Sequence, residues 1–302
     1  QSSNGLVRES GPNRSLTLNG LGQGSYSIDA PHHVFESLLV GFVPLAHVPS
    51  AKNALVVGLG AGTTVDYLLR AGVPRVTVLE LEPGVIEASR RIFRGAGPAV
   101  DPRVTIEVND ARHYLRLNRL RSSTRFDVLT SMPAHPWVAA PIFTREFFEL
   151  ARENLAENGV FSTWFGDSNM PPEAVASLFR AFTSVFEHYM IYRIDEAGAL
   201  FLVGSRAPLK LDPSRLAALQ AMPDAREHRV LASPTFLARR VDATGEGRQE
   251  VSGLINDDDR SWVEVLAPLG NPSGKAPMEE GLLPHEYLRP ENLAVANPRG
   301  AL

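Results

Sequence analysis

Residues 54–62, Ala-Leu-Val-Val-Gly-Leu-Gly-Ala-Gly, run as an apolar β-type stretch into three alternating glycines, and the next apolar run ends in an acid, Glu80. Gly58, Gly60 and Gly62 carry no Cβ, so the chain turns sharply off a strand and lets a ligand lie against its backbone at the start of a helix. An acid in the position of Glu80 accepts hydrogen bonds from both hydroxyls of a ribose. The competing reading is a glycine-rich strand-to-helix turn with no ligand, and the register of Glu80 weighs against it.

The spacing discriminates between nucleosides. A dinucleotide site uses Gly-x-Gly-x-x-Gly, with the third glycine inside the helix beneath a pyrophosphate. Here the order is Gly-x-Gly-x-Gly followed by Thr63 and Thr64. That favours a nucleoside without phosphates, such as an S-adenosyl sulfonium compound, over NAD.

Strand and helix patterns alternate from there: strand 54–58, helix 63–71, strand 75–81, helix 84–94, strand 103–108, helix 111–119, strand 126–130, helix 145–157, strand 160–165 and helix 172–186. Such repetition implies a parallel sheet covered on both faces. Residues 188–194 and 199–204 read as strands whose four-residue connection is too short for a crossover, so they pair antiparallel. The expected fold is therefore α/β and Rossmann-like, a seven-stranded, mostly parallel sheet ending in an antiparallel hairpin, as in sulfonium-nucleoside transferases. Residues 1–14 read as a flexible lead-in and 15–50 as an N-terminal cap, with a β-hairpin around Asn19-Gly20 and a helix from Val34 to Leu45. Residues 51–206 form the main domain. Residues 207–302, with one helix at 213–222 and a Pro-rich tail from Pro272, read as a C-terminal extension.

Composition narrows the function classes. The 302 residues are 44% hydrophobic and 21% charged, the balance of a globular chain with a sizeable core. A net charge of −4 with scattered basic residues argues against a nucleic-acid partner. No cysteine is present, which excludes disulfides, thiolate metal sites and cysteine nucleophiles. No apolar run approaches the roughly 18 residues that span a bilayer. The expectation is a soluble, cytoplasmic chain, with export or membrane tethering as alternatives, because Gln1 in place of methionine reads as the mark of a removed tag, signal peptide or membrane region.

Ligands of open α/β sheets bind at the carboxyl ends of the strands. Asp110 ends the third strand of the main domain, with Ala111 opening the helix behind it. Asp110 suits an adenine amino group and also suits a helix cap, and the two roles are compatible. Adjacent His32 and His33 lack a third ligand, and Asp257 to Asp259 read as a solvated turn, so no metal is expected.

Together these stretches resemble a known family. Leu16-Thr-Leu-Asn-Gly-Leu-Gly-Gln23, Val56-Val-Gly-Leu-Gly-Ala-Gly62, Leu79-Glu-Leu-Glu-Pro83, Asp101-Pro-Arg103, Asn109-Asp-Ala-Arg112, Phe126-Asp-Val128 and Phe143-Thr-Arg-Glu-Phe-Phe148 resemble spermidine synthase. Pro133-Ala-His-Pro-Trp137 and Asn256-Asp-Asp-Asp259 are more similar to the spermidine synthase-like domains that bacteria often fuse to transmembrane segments. The resemblance implies decarboxylated S-adenosylmethionine or S-adenosylmethionine as donor, held by Gln23, the glycine loop, Glu80, Asp110 and Ala111. It also implies a homodimer, and it admits association with a membrane protein.

The chain departs from the family where the amine is handled. The family's strand-end aspartate falls on Met132, a thioether that takes no proton, and its next acidic position falls on His135. The acid within the family's glycine loop is Ala61, and the family's tyrosine-containing acidic motif is not recognisable in residues 31–36. Candidate substitutes are His135 as base with Asp167, and Asp29 and Glu36 as negative charge, while Met132, Trp137 and Trp164 are candidates for the acceptor pocket. Three functions compete. The first is transfer of an aminopropyl or related alkyl group to an amine or other small nucleophile. The second is methyl transfer from S-adenosylmethionine, and the third a non-catalytic binding or scaffold role.

Overall fold

The computed structural model describes residues 5–18, 21–27, 35–95, 97–133, 139–166, 170–194, 199–229, 231–233, 235–246 and 253–266. Three short strands come first: β1 (Gly5–Ser10), β2 (Asn13–Leu18) and β3 (Leu21–Ser27), paired antiparallel in the order β1-β2-β3. Residues 5–14, assigned above to a flexible lead-in, are thus largely strand. Polar Arg8, Glu9 and Ser10 hide the strand in the sequence, and the backbone pairing with β2 from Gly5↔Leu18 to Ser10↔Asn13 supplies what side-chain pattern lacks.

Helix α1 (Phe35–Leu45) follows and is buried from Ser37 onward. Then strands and helices alternate: β4 (Asn53–Val57), α2 (Thr63–Arg70), β5 (Arg75–Glu80), α3 (Pro83–Ile92), β6 (Val104–Val108), α4 (Ala111–Arg121), β7 (Phe126–Ser131), α5 (Arg145–Asn154), β8 (Leu155–Phe165) and α6 (Pro172–Val185). The described residues end with β9 (His188–Ile194), β10 (Ala199–Ser205), α7 (Pro213–Ala221), α8 (Pro223–Glu227), β11 (Val241–Glu246) and α9 (Trp262–Leu266).

The main sheet runs β11-β9-β10-β8-β7-β4-β5-β6. Strands β4 to β8 are mutually parallel, and β10 lies antiparallel between β8 and β9. The hairpin expected of residues 188–204 is therefore present. The seven-strand expectation needs one addition, because β11 joins antiparallel to β9 and makes eight. Its residues, Val-Asp-Ala-Thr-Gly-Glu, carry little β-propensity, and the free edge of β9 recruits them by backbone pairing.

The sheet order reverses between β4 and β7, because the chain winds outward through β5 and β6 before returning beside β4. A crevice opens at such a reversal, beyond the carboxyl ends of the strands. Side chains alternate across the sheet to build a core on each face. On β10, Ala199, Phe201 and Val203 join one core, while Leu200 and Leu202 join the other. The first core takes α1, α2 and α3, together with Leu216 and Leu219 of α7 and then Leu231, Phe236 and Leu237. The second holds a phenylalanine cluster in which Phe161 stacks on Phe186 at 5.4 Å and Phe148 meets Phe182 edge-on at 5.4 Å.

Several boundaries differ from expectation, and two of them bear on the packing. Helix α5 stops at Asn154 rather than 157, because the buried Asn154 amide donates to the carbonyls of Leu150 (2.8 Å) and Leu115 (3.0 Å) and accepts from Asn118 (2.8 Å). The chain then turns extended at Leu155, which pairs with Phe126. The stretch read as a C-terminal extension reaches into both cores. Val263 is fully buried in the second, and Asp224 of α8 forms an ion pair with Arg70 of α2.

Candidate active site

The glycine loop between β4 and α2 takes its shape from backbone that only glycine accepts readily. Gly58, Gly60 and Gly62 have φ of 86°, 52° and 96°. A Cβ on Gly62 would lie 2.8 Å from Pro98 Cγ and 2.9 Å from Ser89 Oγ, so α3 and the turn at Pro98 press on the loop from outside. The Ser89 hydroxyl donates to the carbonyl of Ala61 at 3.1 Å and holds it there.

Glu80 ends β5, next to the loop, and is 8% exposed. The Leu59 N–H donates to its Oε2 at 2.9 Å, and the Glu82 N–H to its Oε1 at 3.0 Å. Each oxygen keeps a second acceptor site, so the carboxylate is fixed by backbone and still has capacity for two hydroxyl donors. Asp110 precedes α4, where Oδ1 accepts from the His113 N–H at 2.9 Å. That is the cap expected of it, and the cap leaves Oδ2 unengaged among the described residues.

These groups border one cavity of about 340 Å³ at the sheet reversal. Its walls include the glycine loop, Glu80, the exposed Leu81, Asp110 with Ala111, and Met132. A further wall is the segment carrying Ala139, Pro141 and Ile142, which contains a 3-10 turn at Ala140–Ile142. The N-terminal sheet reaches the cavity through Gly24 of β3. Leu16 pairs with Gly24 and Thr17 with Gly22, so Gln23 is the extra residue of a β-bulge. Gly24 lies so close to the loop that a Cβ there would sit 3.1 Å from the Ala61 Cβ. Arg14 secures this sheet to α3, with its Nη1 donating to the Ile92 carbonyl at 2.9 Å, and Tyr26 packs on Phe93 at 4.3 Å.

At and beside Met132 the polar groups are paired internally. The Ser131 hydroxyl donates to Thr163 Oγ1 at 2.9 Å, and the Met132 sulfur accepts from the Ser37 hydroxyl at 3.8 Å. Thr64 donates to the Ser37 carbonyl at 2.9 Å and Thr130 to the Val40 carbonyl at 3.1 Å, which fixes α1 across the strand ends.

Of the residues singled out from the sequence, Gly58, Gly60, Gly62, Glu80, Asp110, Ala111 and Met132 line the one cavity. Glu36 and Trp164 do not. Glu36 sits in the first turn of α1, half-buried, and Trp164 packs against the first core with its indole ring over Gly166. Asp29, His32, His33, His135, Trp137 and Asp167 lie outside the described residues, as does the side chain of Gln23.

Arg112 was not anticipated. Its Nη1 donates to the Pro141 carbonyl at 2.7 Å and to Thr144 Oγ1 at 2.8 Å, and its Nη2 pairs with Asp258. Both partners stand in motifs the sequence exposes, Asn109-Asp-Ala-Arg112 and Asn256-Asp-Asp-Asp259, but nothing in one dimension joins them. Asp257 accepts the Arg260 N–H at 2.7 Å in a turn, but the turn is not the solvated one expected of that acidic run, because Asp257 is buried and Asp258 is paired with Arg112. Among the described residues no cluster of three His, Cys, Asp or Glu side chains is placed to hold a metal ion, and no helix is long and apolar enough to cross a membrane.

Comparison with known proteins gives the family and the fold. The spermine/spermidine synthase domain model matches residues 32–196. The polyamine aminopropyltransferase of Thermococcus kodakarensis is 29% identical over 214 residues, 66% of this chain and 71% of that protein. Polyamine aminopropyltransferase 1 of Hyperthermus butylicus is 26% identical over 187 residues, and the chain spans 62% of its length. Putrescine N-methyltransferase 2 of Nicotiana attenuata is 29% identical over 150 residues, 49% of this chain and 39% of that protein. Spermidine synthase from Thermotoga maritima shares the fold, with a TM-score of 0.54 and 21% identity over 72% of this chain and 78% of that one. A spermidine synthase in complex with the transition state analogue AdoDATO gives 0.53 at 20% identity, over 72% and 78% of the two chains. Because the matched stretch runs from before α1 to the end of β9, more than half its length, the chain belongs to the spermine/spermidine synthase family.

Proposed function

We infer that the protein is a transferase that binds an adenosyl sulfonium donor and alkylates a small nucleophile, an amine in the first instance. The observation that carries this reading is Glu80, a buried carboxylate clamped by two backbone N–H groups beside the glycine loop, with Asp110 on the same cavity. Glu80 would accept the ribose hydroxyls and Asp110 Oδ2 the adenine amino group, and the family resemblance adds Gln23 as a further donor contact. The amine lone pair forms a bond to the carbon next to sulfur, the carbon–sulfur bond breaks, and its electron pair converts the sulfonium to a neutral thioether. The nitrogen sheds one proton. The protein's contribution is to hold the two reactants in line and to desolvate the nucleophile.

Met132 cannot take that proton, and its sulfur is engaged with Ser37. We assign the base to His135, three residues after Met132 in the sequence, because the ordinary pKa of an imidazole near 6.5 suits the role. Asp167, two residues after the end of β8 in the sequence, would supply negative charge. The relatives named polyamine aminopropyltransferase favour an aminopropyl donor, decarboxylated S-adenosylmethionine. Ala61 favours a second reading, methyl transfer from S-adenosylmethionine, because the loop no longer offers the acid that would grip an aminopropyl ammonium.

Calorimetric titration with decarboxylated S-adenosylmethionine, S-adenosylmethionine and methylthioadenosine tests these readings. Tightest binding of the decarboxylated donor and of methylthioadenosine supports aminopropyl transfer. Preference for S-adenosylmethionine moves the assignment to methyl transfer, and binding of none rejects a transferase.

A further inference from the structure

The wall formed by residues 139–144 is held from two directions by residues far apart in the chain. Arg112 stands two residues after Asp110, in the first turn of α4, with its side chain 16% exposed. One arm of its guanidinium donates to Pro141 and Thr144, and the other pairs with Asp258. Asp258 is itself anchored, since its N–H donates to Glu146 Oε2 at 2.9 Å. Two residues earlier, Asn256 Nδ2 donates to the Phe143 carbonyl at 2.9 Å, and the Asn256 carbonyl accepts from the Arg145 N–H at 2.9 Å. Asn256 Oδ1 accepts from the Val263 N–H at 3.0 Å, which ties the segment to α9. Residues 256–258 therefore form a strap that grips the wall and, through Arg112, the element that carries Asp110.

The chemistry of the guanidinium makes this more than packing. A planar fork fixed at one end by a carboxylate has its remaining N–H groups oriented before any ligand arrives. Those groups set where Pro141 stands relative to Asp110. Pro141 and Ile142 line the cavity together with Leu81, an apolar side chain left 62% exposed that a flat base would cover.

We propose that Arg112 and Asp258 are positioning residues for the nucleoside, setting the Pro141–Ile142 wall against Asp110 so that the base is held between wall and carboxylate. The proposal rests on the nucleoside reading of the cavity, and its test separates the two. Arg112→Lys keeps the charge but cannot span Pro141 and Asp258 with one ammonium, and Asp258→Ala removes the anchor. Each full-length variant is compared with the parent by methylthioadenosine titration, thermal melting and hydrogen exchange at the Ile142 and Phe143 amides. These amides bond to the carbonyls of Ala139 (2.9 Å) and Ala140 (3.0 Å) within the wall.

The expected result is faster exchange at both amides and about tenfold weaker methylthioadenosine binding well below the melting temperature, in line with the loss of one charge-assisted hydrogen bond. Faster exchange with an unchanged dissociation constant would overturn the positioning role and leave the strap purely structural. Unchanged exchange would overturn the clamp itself. A parent that binds no methylthioadenosine, with exchange responding as expected, would overturn the nucleoside reading and the role built on it while leaving the clamp intact.

Discussion

Glu80 is the buried carboxylate on which the proposed nucleoside site depends most. Glu80→Gln keeps the shape but replaces one acceptor oxygen by a donor that opposes either the Leu59 or the Glu82 N–H. Charge-assisted hydrogen bonds contribute about 1.5–3 kcal/mol each, so methylthioadenosine affinity is expected to fall about 10- to 100-fold in the titration. Asp110→Ala removes a helix cap as well as the proposed adenine contact. It should cost about 1 kcal/mol in denaturant unfolding and weaken nucleoside binding by a larger factor than the cap alone explains. Met132→Asp tests the acceptor end. Placing a carboxylate beside the Ser37 hydroxyl restores a proton acceptor, and aminopropyl transfer to putrescine is expected to rise above that of the parent. No gain in a direct product assay would remove Met132 from the account of acceptor choice.

At the scale of elements, the helices hold the site by packing rather than by propensity. Phe182 of α6 meets Phe148, Phe161, Phe186 and Tyr189 within 6.3 Å, and Phe182→Ala should destabilise by about 3–5 kcal/mol in chemical denaturation. The main-domain elements were legible because their periodicity and punctuation agree, as in Pro83 opening α3 and Gly72 closing the turn after α2. Elements defined by partners were not legible. β1 and β11 exist because β2 and β9 offer unpaired backbone, and α5 ends where the Asn154 amide satisfies the carbonyls of Leu115 and Leu150.

Across the whole molecule, buried polar groups couple distant parts of the fold to pH. His47 follows α1 and is buried, with Nδ1–H donating to the Lys210 carbonyl at 3.0 Å and Nε2 accepting from the Tyr192 hydroxyl at 2.8 Å. Burial lowers its pKa from 6.5 to about 4, against a smaller opposing effect of the Lys210 carbonyl. The folded state therefore binds this proton less readily than the unfolded chain. Stability from His47 is complete above pH 6.5 and is lost as pH falls through about 4, by about 3 kcal/mol in all. Unfolding measured from pH 7.5 to 4 should show that loss, and His47→Gln should flatten it. The α/β order, the antiparallel hairpin of β9 and β10, the strand-to-helix glycine turn and the candidate ligands Glu80 and Asp110 are readable in one dimension, because each follows from local periodicity, missing Cβ atoms or strand-end position. That Gly24 rests on Ala61, that Met132 pairs with Ser37 and that Arg112 is bound to Asp258 emerges in three dimensions alone. Those contacts join residues 37 to 146 positions apart, and no local pattern records which distant backbone or side chain will complete a hydrogen bond once the sheet has formed.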